Sequence, residues 1–171
     1  MQTLKRYFYL SSLILSGASL VTMTLLILAQ IIARFMDVII PSSEDFAGWL
    51  LSATVFFGLA YTFNSGGHIR VSILLLRLSP SVRKYFELFN LLAALLISGF
   101  LAFYASYTVF ESFVYEEVSD TFVAVPLGFV QMPMALGSLF LFIAIVDSTV
   151  TALKGDTPQY LIHENEQSGT E

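Results

Sequence analysis

The chain has 171 residues, of which 56% are hydrophobic and 12% are charged, and its formal net charge is −5. Soluble domains carry about 25% charged residues, so this composition argues against a water-facing globule, and the acidic balance argues against nucleic-acid binding, which needs clustered Lys and Arg. The sequence contains no cysteine, which excludes disulfides, thiol nucleophiles and cysteine metal sites.

Four runs without charged residues are long enough to cross a bilayer as helices: residues 7–33, 46–67, 88–110 and 121–146. About 20 helical residues cross a hydrocarbon core of ~30 Å, and inside that core every backbone polar group must be paired within the protein. The sequence therefore predicts an all-α integral membrane protein. Its four transmembrane helices are expected at about residues 8–33, 45–66, 84–111 and 127–152, in one membrane domain covering residues 1–153.

The fourth run contains two prolines and one amide side chain. Proline is tolerated at the start of a helix, so the fourth helix is predicted to begin near Pro126 and Leu127. Pro133 lies inside that helix and is predicted to kink it, because proline removes a backbone hydrogen bond. Gln131 is predicted to form a hydrogen bond between helices rather than to bind a ligand.

The connectors between the runs predict the orientation. Basic residues precede helix 1, lie between helices 2 and 3 and follow helix 4: Lys5, Arg6, Arg70, Arg77, Arg83, Lys84 and Lys154. The other two connectors are acidic. Because positive charge is retained on the cytoplasmic side, we expect a multi-pass protein of the bacterial inner (cytoplasmic) membrane with both termini cytoplasmic. The polar tail, residues 154–171, is expected to be flexible.

The segment at residues 69–79 is too apolar for a solvated loop and too short and charged to span the membrane. We predict a short interfacial helix that directs its arginines toward lipid phosphates. The alternative is that this segment extends helix 2 or helix 3. His68 and Arg70 are candidates to anchor it, and the alternative for them is a purely charge-based role in topology.

The residues that membrane enzymes and ion-coupled carriers require near mid-membrane do not occur in the four runs. No charged residue lies inside them and no catalytic set appears. Haem would need paired histidines on facing helices, and His68 alone at a helix boundary does not supply them. We therefore predict a protein that is not an enzyme and that has no cofactor, catalytic, substrate-binding or metal site.

Arg34 ends the first run, and Glu44 and Asp45 begin the second, about ten residues later. The two helix ends must be neighbours, and an arginine at this depth must reach outward or find a carboxylate. We predict an ion pair between Arg34 and Glu44 or Asp45, or with an outer group of a partner subunit. The alternative is that Arg34 binds lipid phosphate, and that the two acids only cap helix 2, where the helix dipole favours negative charge.

A series of short motifs carries a family resemblance: Arg34-Phe35, Ser43-Glu44-Asp45-Phe46-Ala47, Phe57-Gly58-Leu59-Ala60-Tyr61, His68-Ile69-Arg70-Val71 and Val130-Gln131-Met132-Pro133-Met134-Ala135-Leu136-Gly137. Their order and spacing resemble those of the small membrane subunit of tripartite ATP-independent periplasmic (TRAP) transporters. The family usually has a Trp before the acidic pair, where this chain has Ser42 and Ser43, and an Asp where this chain has Ser72.

The resemblance implies a non-catalytic scaffold subunit of a secondary transporter. Its expected partners are a large membrane subunit that carries substrate and sodium, a periplasmic substrate-binding protein that delivers an organic acid transiently, and membrane lipids. Arg34, Glu44, Asp45, His68, Arg70, Gln131 and Pro133 are then candidates for structural or partner-interface roles. The alternative is a stand-alone four-helix membrane protein, such as an assembly factor or small carrier.

Overall fold

The computed structural model describes residues 2–65 and 80–154, and within these residues the chain forms four α-helices: α1 (Gln2–Phe35), α2 (Ser43–Asn64), α3 (Pro80–Val114) and α4 (Leu127–Leu153). Each helix is long and apolar enough to span a membrane, so the prediction of an all-α protein with four transmembrane helices is confirmed. The predicted interfacial segment, with His68 and Arg70, and the tail after Lys154 lie outside the described residues.

Two helices are longer than the uncharged runs that identified them. α1 begins at Gln2 rather than near residue 8, and α3 begins at Pro80 and continues to Val114. A charged side chain marks the edge of the hydrocarbon, but it does not end a helix, because backbone hydrogen bonding continues into the headgroup layer. At 1.5 Å per residue, α3 is about 52 Å long, so it extends well beyond a 30 Å hydrocarbon core.

The helices α2 and α4 pack together at the centre, with α1 against α2 and α3 against α4. A core cluster contains residues from all four helices: Tyr9, Ala60, Phe63, Leu91, Ala144 and Ile145. These residues come from the start of α1, the end of α2, the start of α3 and the later part of α4. All four helices therefore meet at the end of the bundle where α1 begins, whereas the other half of α1 has no buried residue.

A glycine sets the distance between the two central helices. Gly137 of α4 lies directly against the backbone of Phe56 in α2. A Cβ added at position 137 would overlap the Phe56 carbonyl group and lie 2.7 Å from the Phe56 Cβ. Ser138 and Ala60, on the same two helices, are completely buried. Small residues allow this approach, and in a membrane such van der Waals packing drives helix association because lipid is as apolar as the helices.

Hydroxyl groups connect α1 to α2. Ser12 donates a hydrogen bond to the carbonyl oxygen of Phe57, and Ser16 donates one to the carbonyl oxygen of Thr54 at 2.7 Å. Gly58 lies against Ser16, whose Oγ would be 3.2 Å from a Cβ at that position. Interhelical hydrogen bonds in membranes contribute about 0.6 kcal/mol on average, so these two bonds add modestly to the close packing of α1 on α2.

We expect Gly137→Ala to lower the thermal stability of the purified protein in detergent by about 1–3 kcal/mol, the usual range for overpacking a close contact. The obstructing atoms are backbone atoms of α2, so relief requires the two central helices to separate. The matched control is Gly48→Ala on α2, where an added Cβ has no neighbour within 4 Å and alanine favours the helix. A melting temperature for Gly137→Ala at or above that of the parent would contradict this packing.

Candidate functional site

Two connectors lie together at the end of the bundle opposite the core cluster, and we call them the loop lobe: residues 36–42, between α1 and α2, and residues 115–126, between α3 and α4. The second connector folds back on itself through an isolated antiparallel β-bridge between Val118 and Pro126. The Ser119 N–H donates to the Val125 carbonyl at 2.8 Å, and the Val125 N–H donates to Ser119 Oγ at 2.9 Å. This connector is therefore a hydrogen-bonded hairpin.

Ser42 joins the two parts of the loop lobe. Its hydroxyl accepts a hydrogen bond from the backbone N–H of Val123 at 3.0 Å. Ser42 occupies the N-cap position of α2, where a serine usually accepts from its own helix, but here it makes no such bond and has a left-handed φ of 54°. Instead of capping its own helix, the Ser42 side chain links the two connectors.

Gln131 takes part in a polar cluster at the base of the loop lobe. The buried hydroxyl of Ser112, on α3, lies 2.7 Å from Glu117 Oε2 and 2.9 Å from the side-chain amide of Gln131 on α4. One hydroxyl has one proton, so if it donates to the carboxylate, the Gln131 amide must turn its NH₂ group toward Ser112 Oγ. This contact joins α3 to α4, as the sequence predicted for Gln131.

The structure separates the charged trio of Arg34, Glu44 and Asp45. Arg34 lies in the last turn of α1, and the two acids lie in the first turn of α2, where the helix dipoles favour those charges. Among the described residues, no ion pair joins Arg34 to either acid; the pair that is present links Lys5 to Asp147. The predicted intramolecular pair is therefore absent from the isolated chain, and Arg34 keeps an exposed guanidinium, which leaves its predicted contact with a partner subunit or lipid open.

The surface around the loop lobe is both acidic and apolar. This end of the chain has seven carboxylates and one basic residue, Arg34: Asp37, Glu44, Asp45, Glu111, Glu116, Glu117 and Asp120. Large apolar side chains are also exposed, with Ile39 and Phe122 87% and 88% accessible. Because the hydrogen bonds of the lobe hold both connectors, these side chains are displayed on an ordered surface, which is a feature of contact sites.

The structure shows a contact at the opposite end that the sequence did not predict. Lys5 Nζ, on α1, lies 2.6 Å and 2.8 Å from the two carboxylate oxygens of Asp147 on α4, and both side chains are 36% accessible. The signal was available: both residues lie near helix ends that the charge pattern assigns to the same side of the membrane. The sequence alone does not show that α1 and α4 are neighbours, so it did not pair these two residues.

Pro133 lies inside α4, four residues before the Gly137 contact, and α4 continues through it from Leu127 to Leu153. The start of α4 immediately after Pro126 is where the sequence predicted it. Among the described residues, no group of three or more potential metal-ligating side chains occurs. The side chains that the structure brings together thus make polar contacts, and these contacts position helices and connectors.

The fold defines the chain as a multi-pass α-helical membrane protein. Residues 23–155 match the family described as tripartite ATP-independent periplasmic transporters, DctQ component. Because the match covers more than three quarters of the chain, the protein belongs to this family, the small membrane component of TRAP transporters. A search of curated proteins finds no match.

The link between the two connectors predicts the behaviour of two variants of Ser42. Ser42→Ala and Ser42→Gly both remove the acceptor of the Val123 N–H, a net loss of about 1 kcal/mol. We expect the Val123 amide to exchange its hydrogen about 5-fold faster in both. Only Ser42→Gly suits the left-handed backbone, so it should retain more global stability than Ser42→Ala. Unchanged exchange at Val123 in both variants would show that the two connectors are not joined there.

The Lys5–Asp147 pair predicts a small coupling between α1 and α4. Both groups are partly solvated, so the pair should contribute about 1 kcal/mol or less. In a double-mutant cycle on thermal stability, Lys5→Gln and Asp147→Asn should each destabilise the protein, and the double variant should lose less than the sum. Arg6→Gln, an exposed charge in the same turn, is the control for net charge. Strictly additive losses would contradict a direct pair.

Proposed function

We propose that this protein is the scaffold beside the large membrane subunit of its TRAP transporter, and that it does not itself carry substrate. In this proposal the large subunit moves an organic acid together with sodium, and a periplasmic binding protein delivers the acid. The small subunit holds the large one at a fixed depth and orientation in the inner membrane. This division of labour extends the family membership to specific roles.

The observation that carries this proposal is the absence of transport chemistry at mid-membrane in the described helices. Their charged residues lie within about two turns of a helix end, whereas ion-coupled carriers place ionisable groups on the ion pathway. Substrate and ion sites in secondary transporters are also typically built from interrupted helices. The four helices here run without a break from Gln2, Ser43, Pro80 and Leu127 to their ends.

The charge distribution supports an orientation for the scaffold. Of the residues that the structure describes, five of the six basic ones belong to the end of the bundle with the core cluster, and seven of the nine acidic ones belong to the end with the loop lobe. We propose that the basic end is cytoplasmic, following the retention of positive charge, and that the loop lobe faces the periplasm. There its acidic rim and apolar tips are available to the binding protein.

Cysteine labelling tests this orientation, and the chain has no cysteine of its own. We expect Asp120→Cys to react with a membrane-impermeant maleimide in intact spheroplasts, and Lys154→Cys to react only after permeabilisation. Both side chains are exposed, so accessibility is matched and only the side of the membrane differs. The reverse pattern would overturn the proposed orientation.

Reconstitution tests the scaffold role. Liposomes that contain this chain and the large subunit, with the binding protein added outside, should accumulate the substrate when a sodium gradient is imposed. Liposomes with this chain alone should accumulate none, and those with the large subunit alone should lose at least tenfold in rate. Uptake by this chain alone would make it the carrier. Failure of the two membrane subunits to co-purify would favour a stand-alone protein.

A further inference from the structure

The helix α3 has two opposite faces of different character. The face toward α4 is formed by small residues, Ser98, Ala102 and Ala105, which are nearly inaccessible. The opposite face is formed by large and mostly aromatic side chains that are exposed, and we call it the α3 stripe: Phe89, Leu96, Phe100, Phe103, Tyr107 and Phe110.

The spacing along the α3 stripe is seven residues, then four, three, four and three. A repeat of alternating three and four residues places side chains in one line along a helix, and it is the pattern by which one helix packs against another at a small crossing angle. Within the stripe, the rings of Phe103 and Tyr107 are stacked with centroids 6.3 Å apart. The stripe therefore forms one line of exposed side chains along α3.

A phenol near mid-membrane distinguishes this surface from one that faces lipid. Tyr104 lies beside the α3 stripe, is 50% accessible, and is only three residues from the centre of the membrane-spanning part of α3, Leu88–Val114. It is about 15 Å from Val114 along the helix, and helical side chains tilt toward the N-terminus, so its hydroxyl points away from that boundary. Among the side chains that the structure describes, none hydrogen-bonds the Tyr104 hydroxyl.

An unpaired hydroxyl in hydrocarbon is costly, so this position calls for a polar partner from another protein. The exposed hydroxyls of α1 differ from that of Tyr104. Ser19, Thr22 and Thr24 each donate to a backbone carbonyl of α1 itself, at 2.8–2.9 Å, and need no external partner. The large exposed side chains of α1 between Leu10 and Ile32 are all aliphatic, which suits contact with lipid.

We infer that the α3 stripe is the surface that contacts the large membrane subunit, whereas the exposed face of α1 contacts lipid. The occupant is a transmembrane helix of the large subunit that offers Tyr104 a hydrogen-bonding group at mid-depth. Charge adds a second requirement. Glu111 lies one turn beyond Tyr107 on the same face of α3, so the partner helix should carry Lys or Arg at that boundary. The inference rests on the proposed scaffold function.

Photocross-linking at matched positions tests the assignment of faces. Benzoylphenylalanine replaces either Phe103 on α3 or Leu25 on α1, which are 64% and 61% accessible, in the full chain co-expressed with the large subunit. We expect a cross-linked product with the large subunit from position 103 and none from position 25. A product from position 25 alone, from both equally, or from neither would overturn the inference.

Co-purification of the unmodified subunits, measured first, separates the two proposals. If the subunits do not co-purify, the scaffold function fails and this inference fails with it. If they co-purify but cross-link through position 25, the scaffold function stands and the assignment of the α3 stripe is wrong.

The role of the Tyr104 hydroxyl in the complex is tested by a substitution that removes only its oxygen atom. Tyr104→Phe should weaken the complex of the two subunits in detergent about 3- to 18-fold, the range expected for one interhelical hydrogen bond in a membrane. The control is Tyr85→Phe, an exposed phenol near the start of α3 where water can pair with the hydroxyl, and it should leave affinity unchanged. Equal affinities for both variants and the parent would show that no partner group pairs with Tyr104.

Discussion

The structure depends on the close approach of α2 and α4 at Gly137. Lipid offers no hydrophobic force to hold helices together, so their association depends on how closely they pack, and only glycine admits the Phe56 backbone at this distance. The other two helices attach to this central pair from opposite sides. Hydroxyl groups of α1 bond to carbonyl oxygens of α2, and the small face of α3 lies on α4. A loss of the central contact would therefore affect all four helices.

Polar contacts give this apolar bundle its specificity at the two ends. Near the start of α1, Lys5 and Asp147 fix α1 to α4. At the far end, Ser112 and Gln131 join α3 to α4, and Ser42 joins the two connectors. Between these ends most helix contacts are made by small and apolar side chains. The chain thus combines strong local order in the connectors with outward faces that are free to meet lipid or another protein.

The sequence predicted the number and type of helices because a bilayer imposes a length and excludes charge, and both can be read from uncharged runs. It also predicted the start of α4, and the resemblance of its motifs identified the family. It did not predict which helices are neighbours, because every run is apolar on all sides. The Lys5–Asp147 pair was missed for this reason. In the isolated chain Arg34 is not paired with Glu44 or Asp45, because proximity along the chain does not orient two side chains on separate helices.

The Lys5–Asp147 contact has a consequence for how the chain can be rearranged. It places the start of α1 next to the final turns of α4, so α1 begins and α4 finishes side by side at the same end of the bundle. The last turn of α2 and the first part of α3 belong to that same end. Joining the original termini and opening the chain between α2 and α3 would give a circular permutant with the helix order α3, α4, α1, α2, in which every helix keeps its direction across the membrane.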